Sequence, residues 1–306
     1  MNDFTFYSPT KFIFGRGVTD AVGRDLAAAG YRRALLVYGE GSVKRTGTLD
    51  RVKNSLADAG IEFVPCTGRP LSGVPAEVLA HPSVHHAVAA NGAVIARLDE
   101  AEPWNTARAA VIHRAPLSRD TARRIWRIAR RFDVTFDIFA DGACLSHRDV
   151  YARLDEFVND PHILSAMRAT RTPVDALPLE LIDSVDVLER VAMYWKDPAD
   201  RDAILAELAH VPNIEVTRSY PMNIEVMQRG TSKGSALEWL CRELGVPVAD
   251  AVAFGDNMND ISMLQAAGTG VAMANAEAAV RAAADAVAAG NDEDGVAASI
   301  FQMLKA

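Results

Sequence analysis

The chain has 306 residues, 49% hydrophobic and 24% charged, with 20 Gly and 14 Pro, which excludes disorder, collagen and coiled coil and allows about two globular domains. Thirty-two Lys and Arg against 40 Asp and Glu give a net charge of −8, and no stretch gathers the positive charge into a stripe. This excludes a nucleic-acid partner held by phosphate neutralisation and leaves anionic small molecules open. Three widely spaced cysteines, Cys66, Cys144 and Cys241, fit neither a disulfide framework nor a zinc site and point to a reducing cytoplasm. The opening MNDFTFYSPTKF lacks a signal-peptide core, and no apolar run approaches about 18 residues, so no membrane contact is expected.

Strand-like and helix-like segments alternate in chain order, the pattern of a parallel sheet with helices on its faces; the expected class is α/β. Residues 5–14 read as two short Phe-rich strands broken at Ser8-Pro9, and 19–29 as a helix stopped by Gly30. A buried strand follows over 34–38, a turn at 39–42, a helix over 49–59 ended by Gly60, and a second buried strand over 61–64 stopped by Pro65. Residues 84–95 read as strand, Asn91-Gly92 turn, strand, and 119–132 as an amphipathic basic helix whose charges form a solvated face. Strands are expected over 134–139 and 187–195, with polar loops between 160 and 183, around Pro173 and Pro178, as excursions of a small α/β cap. A strand over 223–227, a helix over 235–244, a strand over 249–254 and a helix over 261–267 come next. The Ala-rich stretch 272–289 reads as helical with a polar seam.

Three segments suit phosphate chemistry. AVAFGDNMND (residues 251–260) delivers Asp256 and Asp260 from the carboxyl end of an apolar strand, where open α/β sheets bind ligands. Two such acids suit Mg²⁺, which takes one or two carboxylates plus phosphate oxygens; an Asp/Asn turn with Asp260 as helix N-cap is the alternative. In GTSKG (230–234), Lys233 at a helix N-terminus opposes the macrodipole and calls for an anion such as phosphate, unless it is a solvated Lys in a Gly-rich loop. VPCTGR (64–69) places the Thr67 hydroxyl beside backbone donors at another strand end, either a nest for a phosphate oxygen or an ordinary turn.

The order CTGRPL (66–71), ANGA (90–93), NIEVMQRGTSKGSAL (223–237), AFGDNMNDISML (253–264), GVAMANA (270–276) and NDEDGVA (291–297) resembles the Cof-type phosphatases of the haloacid dehalogenase superfamily, cap class IIB, over about residues 64–306. The resemblance implies a Rossmann-like core of residues 31–99 and 229–306 with an inserted α/β cap over 100–228. It implies a Mg²⁺-dependent phosphatase of the sugar-phosphate type acting on a small phosphorylated metabolite. By the same resemblance Thr67 binds the phosphoryl group with Gly68 and Arg69, Lys233 neutralises nucleophile and phosphate, and Asp256 ligates Mg²⁺ with Asn257 beside it. Asp260 supports the metal site, and Asn91 and Gly92 lie at the substrate edge. Ala274 stands where the family usually has Gly.

The family's nucleophile, an Asp in a strand-terminal Asp-x-Asp-Gly-Thr that forms an aspartyl-phosphate, is absent before Thr67. The acids there are Asp3, Asp20, Asp25, Glu40, Asp50, Asp58 and Glu62, and none forms Asp-x-Asp. Asp292-Glu-Asp294-Gly295 and Asp200-Arg-Asp202 carry part of the pattern in the wrong places. Residues 1–64 instead resemble the start of an iron-containing, butanol-type alcohol dehydrogenase, through FTFYSPTKFIFGRG and ALLVYGEGSVKRTGTLDRVKNSLADAGIEF, with Glu40 where that family usually has Gly. That enzyme's later Gly-rich nucleotide segment and Asp/His metal ligands have no counterpart in this chain, and His81, His85 and His86 read as a solvated loop. The chain therefore reads as a fusion joined near residues 60–65, with residues 1–30 an added hairpin and helix. Aligning VYGEGS (37–42) with the missing motif puts Tyr38 at the nucleophile, Glu40 at the acid/base and Ser42 at the Thr. Turnover is then expected to be absent or very low. A non-catalytic phosphate-binding remnant or chimeric product is the alternative, and an NAD(P)-dependent alcohol dehydrogenase ranks last. Oligomeric state is not legible in the sequence.

Overall fold

The computed structural model describes residues 62–293 together with 295, 296, 298 and 299. The elements expected before residue 61, Tyr38, Glu40 and Ser42 among them, lie outside the described residues, as does Asp294. The segment after Glu62 is extended as expected. Phe63 N–H donates to Ser83 O, Val88 N–H to Pro65 O and Thr67 N–H to Val88 O. Pro65 has no N–H to donate, and among the described residues this segment forms one ladder bridge, Cys66 with Val88.

The expected strand, turn, strand is a hairpin of β1 (His86–Ala89) and β2 (Val94–Arg97). Its turn carries Ala90, Asn91 and Gly92 at φ of 50°, 58° and 97°, a left-handed run that Asn and Gly accept readily and Ala only under tertiary constraint. A strand without an expected counterpart, β3 (Ala110–Arg114), completes this sheet against β2.

Next come α1 (Arg119–Ala129), N-capped by the Ser118 hydroxyl on Thr121 N–H, then β4 (Asp137–Ala140), β5 (Ala143–His147), α2 (Pro161–Thr170), β6 (Arg171–Val174) and α3 (Pro178–Ser184). The polar loops expected between 160 and 183 are thus helix, strand, helix. Pro161 and Pro178 sit in the first helical turn, where a missing N–H costs nothing, and Asp160 accepts from His162 and Ile163 N–H. With β7 (Leu188–Tyr194), α4 (Pro198–Leu208), β8 (Ile214–Thr217) and β9 (Asn223–Gln228), these strands form a six-stranded sheet in the order β6-β5-β4-β7-β9-β8.

One face of that sheet is apolar. Ile138, Val191, Met193, Ile224 and Val226 pack against Ile125 of α1, Ile182 of α3 and Ile204 and Leu208 of α4. Each such fully buried side chain contributes about 1.5–3 kcal/mol. The other face carries Asp137 and Phe139, Arg190 and Tyr194, Asn223 and Glu225, all buried although most are polar. The pairings Arg171 with Cys144, Cys144 with Phe139, and Phe139 with Arg190 set these four in one cross-strand row.

The pairing of β4 with β7 skips Glu189, so a bulge re-aims Arg190. Glu189 is buried, accepts Gly142 N–H at 2.8 Å through Oε1, and leaves Oε2 without a partner among the described residues. Burial pushes its carboxyl up to about 7, against the pull of the Gly142 N–H and Arg190. The folded chain therefore holds this proton where the unfolded chain has lost it, and stability falls as pH rises from the ordinary Glu range through about 7. Glu189→Gln is expected to remove that slope. Chemical denaturation at pH 5 and pH 8 should show the variant gaining up to about 3 kcal/mol on the wild type at the higher pH only.

The chain ends its described part with α5 (Lys233–Leu244), β10 (Val252–Gly255), α6 (Ile261–Ala266), β11 (Thr269–Met273), α7 (Ala278–Ala282) and β12 (Ala286–Ala288). Strands β10, β11 and β12 pair in parallel, a Rossmann-like arrangement. Of the helix expected over 272–289 only α7 forms, between the end of β11 and β12. Ala272 is fully buried between Gly255 and Val287 in the parallel ladder, and that pairing overrides alanine's high intrinsic helix propensity. No helix among the described residues is long and apolar enough to cross a membrane.

Candidate functional site

Strand β10 buries Ala253 and Phe254 and ends at Gly255, where a Cβ would lie 2.4 Å from that of Asp260. That absence of a side chain lets Asp260 fold back over the turn. Its Oδ2 accepts the N–H groups of Asp256 (3.0 Å) and Asn257 (2.9 Å), and its Oδ1 accepts Lys233 Nζ at 2.6 Å. Both partners of the Lys233–Asp260 ion pair are buried. Lys233 opens α5 behind the Ser232 N-cap, so its charge opposes the helix dipole as expected. The Asp260 carboxylate supplies a compensating anion. Burial pulls the Lys233 ammonium down, but Asp260, with smaller help from Cys66 and Asp256, holds it above the ordinary lysine value.

The Thr67 loop is set by β1 and its turn. Thr67 O accepts Asn91 N–H at 3.1 Å, and Thr67 Oγ1 accepts Arg69 N–H at 3.1 Å. Gly68 O accepts Arg190 Nη2 from the six-stranded sheet at 2.5 Å. Beside it the Cys66 thiol, pushed up to about 12 by burial, is no nucleophile at neutral pH.

These loops border one cleft of about 350 Å³, lined by Thr67, Gly68 and Arg69, by Lys233, and by Asp256, Asn257, Asn259 and Asp260. Phe139, Arg171, Arg190, Tyr194 and Glu225 line it from the polar face of the six-stranded sheet. The Arg190 guanidinium lies 3.6 Å over the Phe139 ring and pairs with Glu225 at 2.9 Å, while Arg171 pairs with Asp137 at 2.9 Å. The arginines are thus matched one for one by buried carboxylates.

Two of the residues expected at the substrate edge are elsewhere. Asn91, 1% exposed, and Gly92 sit behind the wall of the cleft, where Asn91 bonds to Glu225 and Asn259. Gly92 is required there twice over: φ is +97°, and a Cβ would lie 2.3 Å from Ser232 O at the start of α5. Gly92→Ala is expected to cost about 3 kcal/mol, read as a lowered denaturation midpoint with unchanged m, by forcing the hairpin turn off α5.

The donor set suits a hard cation through one carboxylate. Asp256 is pushed above the usual carboxylate range, first by burial and then by the like charge of Asp260, against the pull of Lys233, so a cation beside it would relieve an uncompensated charge. Among the described residues its oxygens accept from Asn257 Nδ2 (2.8 Å) and Asn275 Nδ2 (3.3 Å). Asp260 is occupied by three donors and organises the loop instead. Among the described residues no group of three or more His, Cys, Asp or Glu could hold a metal ion.

Glu225, Arg190, Arg171 and Asn259 carry much of the cleft and were not among the expected site residues. One signal was present in NIEVM: a carboxylate between Ile224 and Val226 in a strand buried on both faces needs a buried partner.

Residues 45–300 match the family of haloacid dehalogenase-like hydrolases, and residues 9–76 match that of iron-containing alcohol dehydrogenases. The chain is 42% identical over 105 residues to the 5-amino-6-(5-phospho-D-ribitylamino)uracil phosphatase YcsE of Bacillus subtilis, which is 34% of this chain and 42% of that one. It is 36% identical over 137 residues to the pyridoxal phosphate phosphatase YbhA of Escherichia coli, 45% of this chain and 50% of that one. The matched stretches thus span half or less of these curated relatives. In structure it is similar to a haloacid dehalogenase-like hydrolase from B. subtilis, with TM-score 0.70 and 24% identity over 88% of this chain and 99% of that one. It is similar also to the subclass IIB sugar phosphatase BT4131, with TM-score 0.70 and 20% identity over 89% and 98%. At these identities the two structures speak for the fold alone.

Proposed function

Given that the chain belongs to the haloacid dehalogenase-like hydrolases, we propose that it is a Mg²⁺-dependent phosphate-monoester site of the Cof type, cap class IIB, whose own turnover is absent or very low. The observation that carries this reading is a mismatch. Thr67, Lys233, Asp256 and Asp260 border one cleft, yet no Asp-x-Asp precedes Thr67 in the sequence.

In this reading residues 31–99 and 229–306 form the core and 100–228 the cap, with β3 of that span still paired to β2. The Thr67 hydroxyl and the Gly68 N–H hold phosphoryl oxygens beside Arg69, whose own N–H closes the Thr67 turn, and the Lys233 ammonium supplies positive charge at the same point. Asp256 holds Mg²⁺, beside Asn257, and the ion when bound neutralises phosphoryl charge. The ligand is a small phosphorylated metabolite, the class to which the substrates named for YcsE and YbhA belong. A cytoplasmic site suits such a ligand.

A second reading, a chimeric product without selected turnover, is favoured by the overlap of the two family matches over residues 45–76, which contains the joint expected near 60–65. A working dehydrogenase is not favoured, since the match to that family ends at residue 76.

The test is an assay of the purified chain. Inorganic phosphate should bind in a Mg²⁺-dependent way by calorimetry, while release of phosphate from p-nitrophenyl phosphate stays near background. Strong turnover would refute the impairment, and absent binding would refute the site.

A further inference from the structure

The six-stranded sheet brings two arginines to the cleft, and only one of them has spent its donors. Arg190 Nη2 donates to Gly68 O at 2.5 Å and Nη1 pairs with Glu225 at 2.9 Å, so this side chain holds the phosphoryl loop. Arg171 is 9% exposed and lines the same cleft. Its Nε donates to Asp137 Oδ2 at 2.9 Å, and its guanidinium carbon lies 5.4 Å from the centre of the Tyr194 ring. Asp137 Oδ1 is buried without a partner, yet the Nη groups of Arg171 do not turn to it. They bond to nothing among the described residues, and they are not sealed inside the protein as Nε and Nη1 of Arg190 are.

A buried guanidinium fixed by a carboxylate on one edge and a ring on one face, with its outer nitrogens open to a cleft, is a pre-oriented fork of donors. The kind of group it takes follows from charge. Arg171 is paired with Asp137 and Arg190 with Glu225, so these four side chains give that wall of the cleft no net charge. A second anion there would give up its water beside two buried carboxylates, facing cations that are already neutralised. A neutral oxygen gives up less water and meets the same donors.

We infer that Arg171 is a specificity-determining residue that donates to a neutral oxygen, hydroxyl or carbonyl, on the alcohol part of a phosphate monoester. The cleft then selects singly phosphorylated, otherwise uncharged ligands over bisphosphates and phosphorylated carboxylic acids. The inference rests on the phosphate reading: a ligand whose phosphoryl group lies on the Thr67, Lys233 and Asp256 loops turns its alcohol part to the sheet that carries Arg171. Arg171→Lys keeps a cation for Asp137 but removes the fork.

Calorimetry of the full chain with Mg²⁺ tests this with four probes: inorganic phosphate, glucose 6-phosphate, 6-phosphogluconate and hexyl phosphate. The unmodified chain should bind glucose 6-phosphate about tenfold more tightly than 6-phosphogluconate, which carries a carboxylate on the same carbon skeleton. Arg171→Lys should weaken glucose 6-phosphate about tenfold and leave inorganic phosphate and hexyl phosphate, whose alcohol part has no acceptor, within about twofold. Equal losses for hexyl phosphate or inorganic phosphate would point to a disturbed wall or an altered field and overturn the inference, as would an unmodified chain that prefers 6-phosphogluconate. Binding of inorganic phosphate with no distinction among the esters refutes the role of Arg171 alone. Binding of none of the four refutes the phosphate reading and the inference with it.

Discussion

The double variant Tyr38→Asp, Glu40→Asp is expected to hydrolyse a phosphate monoester several orders of magnitude faster than the unmodified chain, measured as Mg²⁺-dependent phosphate release. A phenol with a pKa near 10 is a weak nucleophile at neutral pH, reaches further than a carboxylate, and brings no anionic oxygen to a hard cation. An aspartate supplies the attacking oxygen, and the second one supplies an acid and base of the right length. The supporting groups are already placed: Lys233 and Asp256 line one cleft, and the Thr67 turn is closed by the Arg69 N–H. Equal rates in the two proteins would mean that Tyr38 does not take the nucleophile's place and that VYGEGS is misaligned. Either single substitution should recover far less than both, because nucleophile and acid/base act as a unit.

What could be read from the sequence tracks how locally each feature is determined. The β10 strand, the Asn91-Gly92 turn and the helix from Lys233 are written in short patterns, an apolar run, a left-handed pair and a Ser cap, and all three form. The stretch 272–289 misleads because its composition speaks for one helix, while the pairing of its two ends, in β11 and β12, is a matter of distant partners. The proline at 178 misleads in the opposite direction, since one residue type ends a helix or begins one according to its position. In the site, Thr67, Lys233, Asp256 and Asp260 stand in motifs, but their division of labour is not legible. That Asp260 is the anion beside Lys233, leaving Asp256 the freer carboxylate, depends on a 2.6 Å contact between residues 27 positions apart. Asn91 has the look of an edge residue until its side chain is found bonded to Glu225, 134 positions away.

Removal of the Lys233 charge should have the largest effect on stability. Lys233→Met is expected to cost about 3–5 kcal/mol in chemical denaturation at pH 8, because it leaves the buried Asp260 carboxylate beside Asp256 with no cation between them. The two backbone N–H bonds to Asp260 Oδ2 remain, so the acidic loop should loosen rather than collapse. The pH dependence follows from the sign of the change. Asp256 is already held above the usual carboxylate range by burial and by Asp260, and only Lys233 among the nearby charges pulls it down. Without Lys233 the Asp256 carboxyl rises further, so the deficit is full where it is ionised and shrinks as pH falls through its raised value. The difference between variant and wild type should therefore be clearly smaller at pH 5 than at pH 8. Adding Asp260→Asn should return part of the loss, since an amide oxygen can still accept the Asp256 and Asn257 N–H groups while the second negative charge is gone. A double variant whose cost equals the sum of the two single ones would show that Lys233 and Asp260 do not stabilise each other, since residues in direct contact are expected to couple by about 0.5–3 kcal/mol.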